Sequence, residues 1–192
     1  MSEKPKLQSG FTLIELVITM AIAAILLLVA VPGFQSFQRN SQLSSLTNSL
    51  LVAINTAKAE AMKQNASAYV IPASGADWGS GWIVFVDKDR DQLYSESGDV
   101  TVMKQEALAS YFSVSGNGTS SGTAPYLAFD SSGFSRKKDG SSPINLTLTI
   151  KRNDVSSATQ NEEMRRIIIG KTGRARSCKP SSDLNCTATA SN

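Results

Sequence analysis

No histidine occurs in the 192 residues, and cysteine occurs only twice. Without imidazole, every hydrolytic arrangement that uses histidine as general base is excluded, as is the commonest zinc ligand. Two cysteines do not complete a zinc site, and Cys178 and Cys186 lack the Cys-x-x-Cys spacing of a redox pair. No phosphate-cradling glycine loop is present, and no nucleophile-and-base arrangement is visible, so the chain reads as a non-enzyme without a cofactor. The adjacent Glu162 and Glu163 point apart on a strand and read as a solvated loop. An internal repeat is also missing. Charge of one sign is scarce overall, with a formal net of +3, but it is unevenly spread. Residues 11–135 hold 6 Lys/Arg against 10 Asp/Glu, whereas residues 136–192 hold 11 against 5. Such asymmetry points to a basic partner-binding face in the C-terminal half.

What the chain does have is an almost unbroken apolar run from Gly10 to Val31, long enough to span a bilayer as a helix. A signal peptide would place its cleavage site after such a run. Here the break in character, Gly10-Phe11, precedes it. One acid, Glu15, lies inside the run, where a carboxylate costs roughly 2.5–3.5 kcal/mol on insertion scales and calls for a partner. The segment Gly10-Phe11-Thr12-Leu13-Ile14-Glu15 resembles the processing motif of type IV pilins and type II secretion pseudopilins. That resemblance implies cleavage after Gly10 by prepilin peptidase and N-methylation of Phe11. It also implies packing among the helices of other pilins, with the Glu15 carboxylate facing the Phe11 amine of a neighbouring subunit. Lys4 and Lys6 in the leader favour the cytoplasmic side, which places everything after the helix beyond the inner membrane, in the periplasm. In that oxidising space a Cys178–Cys186 disulfide is the default expectation, worth around 2–3 kcal/mol for so short a loop.

The helix is expected to continue past Pro32-Gly33, with a kink there and not an end. Leu43, Leu46, Leu50, Ile54, Ala57 and Ala61 form an apolar stripe, with Gln42, Asn48, Asn55 and Lys58 on the other side. The helix should fade near Gln64-Asn65. Short β-branched or aromatic runs follow at Ala68–Pro72, Trp82–Val86, Val100–Lys104, Tyr126–Phe129, Leu146–Ile150 and Arg166–Ile169. Turn clusters separate them, including Asp139–Pro143, and the Ser/Gly-rich stretch Ser113–Thr123 reads as a flexible loop. The expected fold class is α+β: a long N-terminal helix, transmembrane in its first half, packed on antiparallel sheets. Its divisions would be a leader (1–10), a transmembrane half-helix (11–31), an amphipathic half-helix (32–65) and a β-rich head (66–192).

Gly81-Trp82-Ile83-Val84-Phe85-Val86-Asp87 is similar to the central strand signature of the GspH/FimT family of minor pilins and pseudopilins. Phe129-Asp130-Ser131-Ser132-Gly133 and Arg166–Ile169 with Gly173-Arg174 resemble that family too, in the expected order. Trp82 and Phe85 read as core between sheet and helix. Asp87, Asp89 and Asp91 alternate as in a calcium loop, but Gln92 and Gly98 occupy the positions where an EF-hand needs Gly and Glu. A solvated hairpin turn, neutralised by Lys88 and Arg90, is the preferred reading there.

The strongest functional candidate is Lys171-Thr172-Gly173-Arg174-Ala175-Arg176, flanked by Arg165, Arg166 and Lys179. Those six cations occur without an intervening acid. In an extended segment Arg174 and Arg176 share a face, about 7 Å apart, near the phosphate repeat of a nucleic-acid strand. Gly173 permits a turn or a close approach to a ligand. Gly-Arg-x-Arg at this place resembles the DNA-binding motif of the FimT branch, which serves DNA uptake in natural transformation. About four to six phosphates would then be neutralised, without sequence preference because stacking aromatics are missing. Charged guards on an edge strand are the alternative for the two arginines. For the whole chain the alternatives are a type II secretion minor pseudopilin at a structural tip, and a minor pilin that only primes assembly.

Overall fold

Helix α1 runs Leu13–Gln64 and opens on a reciprocal cap. Glu15 Oε2 accepts from the Thr12 amide at 2.9 Å and from the Thr12 hydroxyl at 2.8 Å, while the Glu15 amide donates back to the Thr12 hydroxyl at 3.3 Å. This Thr-x-x-Glu box satisfies amides that have no partner inside the helix. The computed structural model describes residues 10–141 and 144–189; the leader residues 1–9, with Lys4 and Lys6, and positions 142–143 of the Asp139–Pro143 turn lie outside them. As expected, α1 does not end at Pro32-Gly33. It stops at Gln64, where Asn65 takes a left-handed φ of 49° and the Ala66 amide reaches back to the Ala61 carbonyl.

The chain divides after Ser41 into two units. In the first, α1 leaves its apolar side chains exposed, among them Ile14, Ile18, Ile22 and Leu26. An apolar helix long enough to cross a bilayer fits membrane anchoring.

The second unit holds the rest of α1 and two four-stranded antiparallel sheets. Strands β1 (Ala68–Ser74), β2 (Asp77–Val86), β3 (Val100–Gln105) and β5 (Leu127–Phe129) form one sheet, in the order β3-β2-β1-β5. Strands β4 (Phe112–Gly116), β6 (Leu146–Arg152), β7 (Met164–Ile169) and β8 (Ala175–Cys178) form the other, in the order β4-β6-β7-β8. Leu43, Leu50, Ile54, Ala57 and Ala61 of α1 are fully buried in one core with Val70, Trp82 and Val84 of the first sheet and Leu148, Ile150 and Ile167 of the second. Each large aliphatic side chain so buried contributes about 1.5–3 kcal/mol. Leu46 is only partly buried against the same core.

Three sequence expectations need correction. Phe112 and Val114 alternate inward between Ser113 and Ser115, so much of the stretch read as a flexible loop is strand β4. The Ser120 beyond it is buried, and its carbonyl accepts from Trp78 Nε1 at 2.9 Å. Phe85 is buried as expected, but on the face of the sheet opposite Trp82. There it stacks on Tyr69 with ring centroids 5.2 Å apart, and burial pushes the Tyr69 hydroxyl up to about 12. Glu162 and Glu163 do lie in a turn, just before β7, but Glu163 is not solvated: its carboxylate accepts from the buried Arg152 guanidinium at 3.0 Å, beside Asp154 at 2.8 Å.

Candidate functional site

The basic motif lies on the turn between β7 and β8 and on β8 itself, the edge strand of its sheet. The turn closes through hydrogen bonds from the Gly170 amide to the Arg174 carbonyl (2.9 Å) and from the Gly173 amide to the Gly170 carbonyl (2.8 Å). It is then docked from several sides. The Lys171 amide donates to Asn145 Oδ1 at 2.9 Å, the Ser135 amide to the Lys171 carbonyl at 3.1 Å, and Lys58 Nζ to the Thr172 carbonyl at 3.2 Å. Lys58 thus turns toward the motif, where the helical pattern alone had placed it on the polar side of α1.

Gly173 is needed for packing and turn geometry. Its φ is +72°, and a Cβ there would stand 2.0 Å from the Gly133 carbonyl oxygen. Gly133 in turn has φ +78°, and a Cβ on it would come within 2.8 Å of Met62 Sδ and 2.9 Å of Lys58 Cε. The close approach expected of Gly173 is therefore to Gly133, and α1, the Gly133 turn and the Gly173 turn form a continuous stack.

The six candidate cations meet different fates. Lys171 and Arg174 are exposed, and neither side chain has a hydrogen bond or ion pair among the described residues. Together with Gly170, Thr172 and Arg176 they line one open groove, so the structure does bring Arg174 and Arg176 to a common surface. Arg176 is half-buried and already paired, donating to Asp183 Oδ2 at 3.1 Å. The Asn185 amide and then Arg176 hold the Asp183 carboxyl below its usual range. Lys179 pairs with Glu162 at 2.6 Å. Arg165 donates to the carbonyls of Glu162 (3.0 Å) and Met164 (2.8 Å), and Arg166 donates to the Cys186 carbonyl. Acids just outside the run, Glu162 before it and Asp183 after it, therefore neutralise part of a stretch that itself holds no acid.

The reason is the tail. Cys178 and Cys186 form the expected disulfide, with Cα atoms 5.8 Å apart, and Cys186 is buried. In register, Arg166 lies opposite Cys178 and Ile168 opposite Arg176. The bridge brings Asp183 and the Cys186 carbonyl back to these two arginines. Asn117 Nδ2 donates to the Ala188 carbonyl at 3.1 Å, while the Asn117 carboxamide oxygen accepts from the Thr147 amide at 2.8 Å. The tail is thereby tied to β6 as well as to β8.

An N-terminal apolar helix that supplies its second half to the core of two antiparallel sheets is the architecture of type IV pilin-like subunits. The crystal structure of the type IV minor pilin FimU of Pseudomonas aeruginosa shares this fold at 21% identity, with a TM-score of 0.54 over 77% of this chain and 95% of that one. The minor pseudopilin EpsH of the Vibrio cholerae type 2 secretion system aligns at 17% identity, with a TM-score of 0.44 over 72% of this chain and 94% of that one. No curated protein sequence matches the chain. The family described as "Type II transport protein GspH" matches residues 46–173, and the "Prokaryotic N-terminal methylation motif" matches residues 5–31. The chain belongs to the GspH family, a family of structural minor pilins and pseudopilins. The family match ends at Gly173, so Arg174, Arg176, the disulfide and the tail all lie beyond it.

Proposed function

We propose that this chain is a minor pilin of a type IV pilus that binds extracellular DNA, for uptake in natural transformation. Lys171 and Arg174 would hold backbone phosphates, and Arg176 would join them on release from Asp183. The observation that carries this reading is the pair of exposed, unpaired cations on a turn docked against α1 and the Gly133 turn. A docked turn loses little freedom on binding, which lowers the cost of association. The groove is lined without an aromatic side chain, so contacts go to phosphates and not to bases. Arg165, Arg166 and Lys179 serve the head's own structure in this reading and contribute only to the surrounding field.

Processing after Gly10 with methylation of Phe11 would release the helix from its leader. The protein would wait in the inner membrane with its head in the periplasm, then enter the pilus by helix packing. A second reading, a minor pseudopilin of a type II secretion system, is favoured by the type II transport character of the matched family. The two are separated by an NMR titration of the full chain in detergent micelles with a short DNA duplex at low salt. Amide shifts centred on Lys171–Arg176 are expected. No shifts there would sink the DNA reading and leave the secretion reading ahead.

A further inference from the structure

The loop between β2 and β3 gathers three carboxylates that form no salt bridge among the described residues, the Lys138 charge reaching only Asp87 and only through space. Asp87 follows the last residue of β2 and Asp99 precedes the first of β3, so the pairing of Val86 with Val100 brings them to the base of one hairpin. Asp89 folds back from within the loop, and one carboxylate oxygen from each of the three lies within 4.8 Å of the others. Asp87 is not the solvated turn residue its sequence suggested: it is 3% exposed. Its Oδ2 accepts from the Gln92 amide at 3.2 Å, but its Oδ1 is buried with no hydrogen-bond partner. A buried carboxylate oxygen without a donor and beside two further carboxylates is costly unless a cation completes it.

The nearby cations do not do so. Among the described residues neither Lys88 nor Arg90 forms a salt bridge with the three acids. Lys138 Nζ donates to the Gln92 carbonyl and lies over the rings of Tyr69 and Tyr126, 5.5 and 5.1 Å from their centroids. Meanwhile the loop backbone orients the acids. The Lys88 and Ser95 amides donate to Asp99 at 3.2 and 2.8 Å, and the Asp91 amide donates to Asp89 at 3.3 Å. Gly98 gives Asp89 room, since a Cβ there would stand 2.1 Å from Asp89 Oδ2.

We infer that Asp87, Asp89 and Asp99 form a site for a divalent cation, calcium, that closes the β2–β3 loop on the head. Calcium bonds oxygen at about 2.3–2.6 Å, so oxygens spaced up to 4.8 Å apart can share one ion. Magnesium needs shorter, near-octahedral bonds and fits such an irregular set less well. Read as an EF-hand, the spacing puts the twelfth-position ligand at Gly98, which has no side chain. The hairpin supplies Asp99 instead. With the ion bound, the loop would be pinned where Tyr94 packs on Phe85, ring centroids 5.2 Å apart, over the outer face of the sheet.

The test is calorimetric titration of calcium chloride into the chelator-treated full chain in detergent micelles, with thermal unfolding in parallel. One site with Kd of about 10⁻⁴–10⁻³ M is expected, the range of extracellular calcium modules, with a rise in Tm that magnesium reproduces only weakly. The exposed Asp89→Asn should weaken binding at least about tenfold and abolish the rise. In chelator, Asp87→Asn should unfold no lower than wild type, because it removes like-charge repulsion from an empty site. Absence of heat and of any Tm shift up to about 10 mM calcium would overturn the site, as would undiminished binding by Asp89→Asn. A lower Tm for Asp87→Asn in chelator would also overturn it, since the carboxylate would then be satisfied without an ion.

Discussion

Replacing Arg174 by Gln tests the DNA reading at the residue best placed to carry it. Among the described residues, two cations at the groove, Lys171 and Arg174, have no partner, and Arg176 becomes a third only by leaving Asp183. Each phosphate neutralised on duplex DNA contributes about −0.9 to the slope of log K against log[salt], so the slope should lie at about −1.8 to −2.7. This is shallower than the slope of about −4 to −5 expected for four to six neutralised phosphates. A fourfold rise in salt, from about 50 to 200 mM, should therefore weaken binding about 12- to 40-fold. Arg174→Gln should flatten the slope by about 0.9, whereas Asp183→Asn, which frees Arg176, should steepen it by a similar amount. Lys137→Gln is the control, a charge of equal sign away from the groove, flanked by Arg136 paired with Asp130 and Lys138 held over two rings. Fluorescence anisotropy of a labelled duplex against the full chain in micelles, across a salt series, reads all four proteins. An unchanged slope in Arg174→Gln, or equal losses in Lys137→Gln and Arg174→Gln, would refute the reasoning.

Four further outcomes are expected. Gly10→Val should block cleavage and leave the full-length protein in the inner membrane; mature-sized protein on a gel would contradict this. Glu15→Ala should be cleaved but assemble poorly into filaments, whereas Thr12→Ala, which removes only the cap at a cost of about 1 kcal/mol, should assemble near normally. Equal assembly of the two variants, measured in sheared filaments, would remove the case for pairing with a neighbour's amine. Gly173→Ala should cost roughly 2–4 kcal/mol in denaturant unfolding, through positive-φ strain and collision with Gly133; a loss under about 0.5 kcal/mol would refute the stacked-turn account. The exported protein should show no alkylatable thiol by mass spectrometry before reduction, and Cys186→Ser should lower stability by about 2–3 kcal/mol.

Legibility along the chain followed the range of the interactions involved. The helix and its stripe were readable because residues three and four apart decide them, and Leu50, Ile54 and Ala57 are buried as that pattern requires. Strands with an unbroken bulky apolar run, such as Trp82–Val86, were equally plain. Strand β4 was not, because Ser113, Ser115, Gly116 and Asn117 resemble a turn cluster and its inward Phe112 and Val114 are few. Strand β8 was legible only as an extended segment around Arg174 and Arg176, because it is short, polar and held by pairing to β7. At the site, the identity of the cations was legible, but their availability was not. Whether Arg176 is free depends on Asp183, brought back by a disulfide, and Arg166 depends on a backbone carbonyl that has no sequence signature.

The contact between Gly133 and Gly173 bears on how relatives of this chain should be sorted. A side chain at position 173 would meet the Gly133 carbonyl oxygen, and one at position 133 would meet Met62 and Lys58 of α1, so each glycine is held in place by the layer beneath it. Any relative that keeps the stacked turns would keep Gly173 whether or not its head touches a nucleic acid. The glycine of Gly-Arg-x-Arg is thus a marker of architecture, and it falls inside the stretch that the family match covers. The two arginines lie outside that stretch. Sorting transformable lineages from secretory ones by this motif would succeed only if the glycine were given no weight and the counter-ion at position 183 were scored together with the arginines.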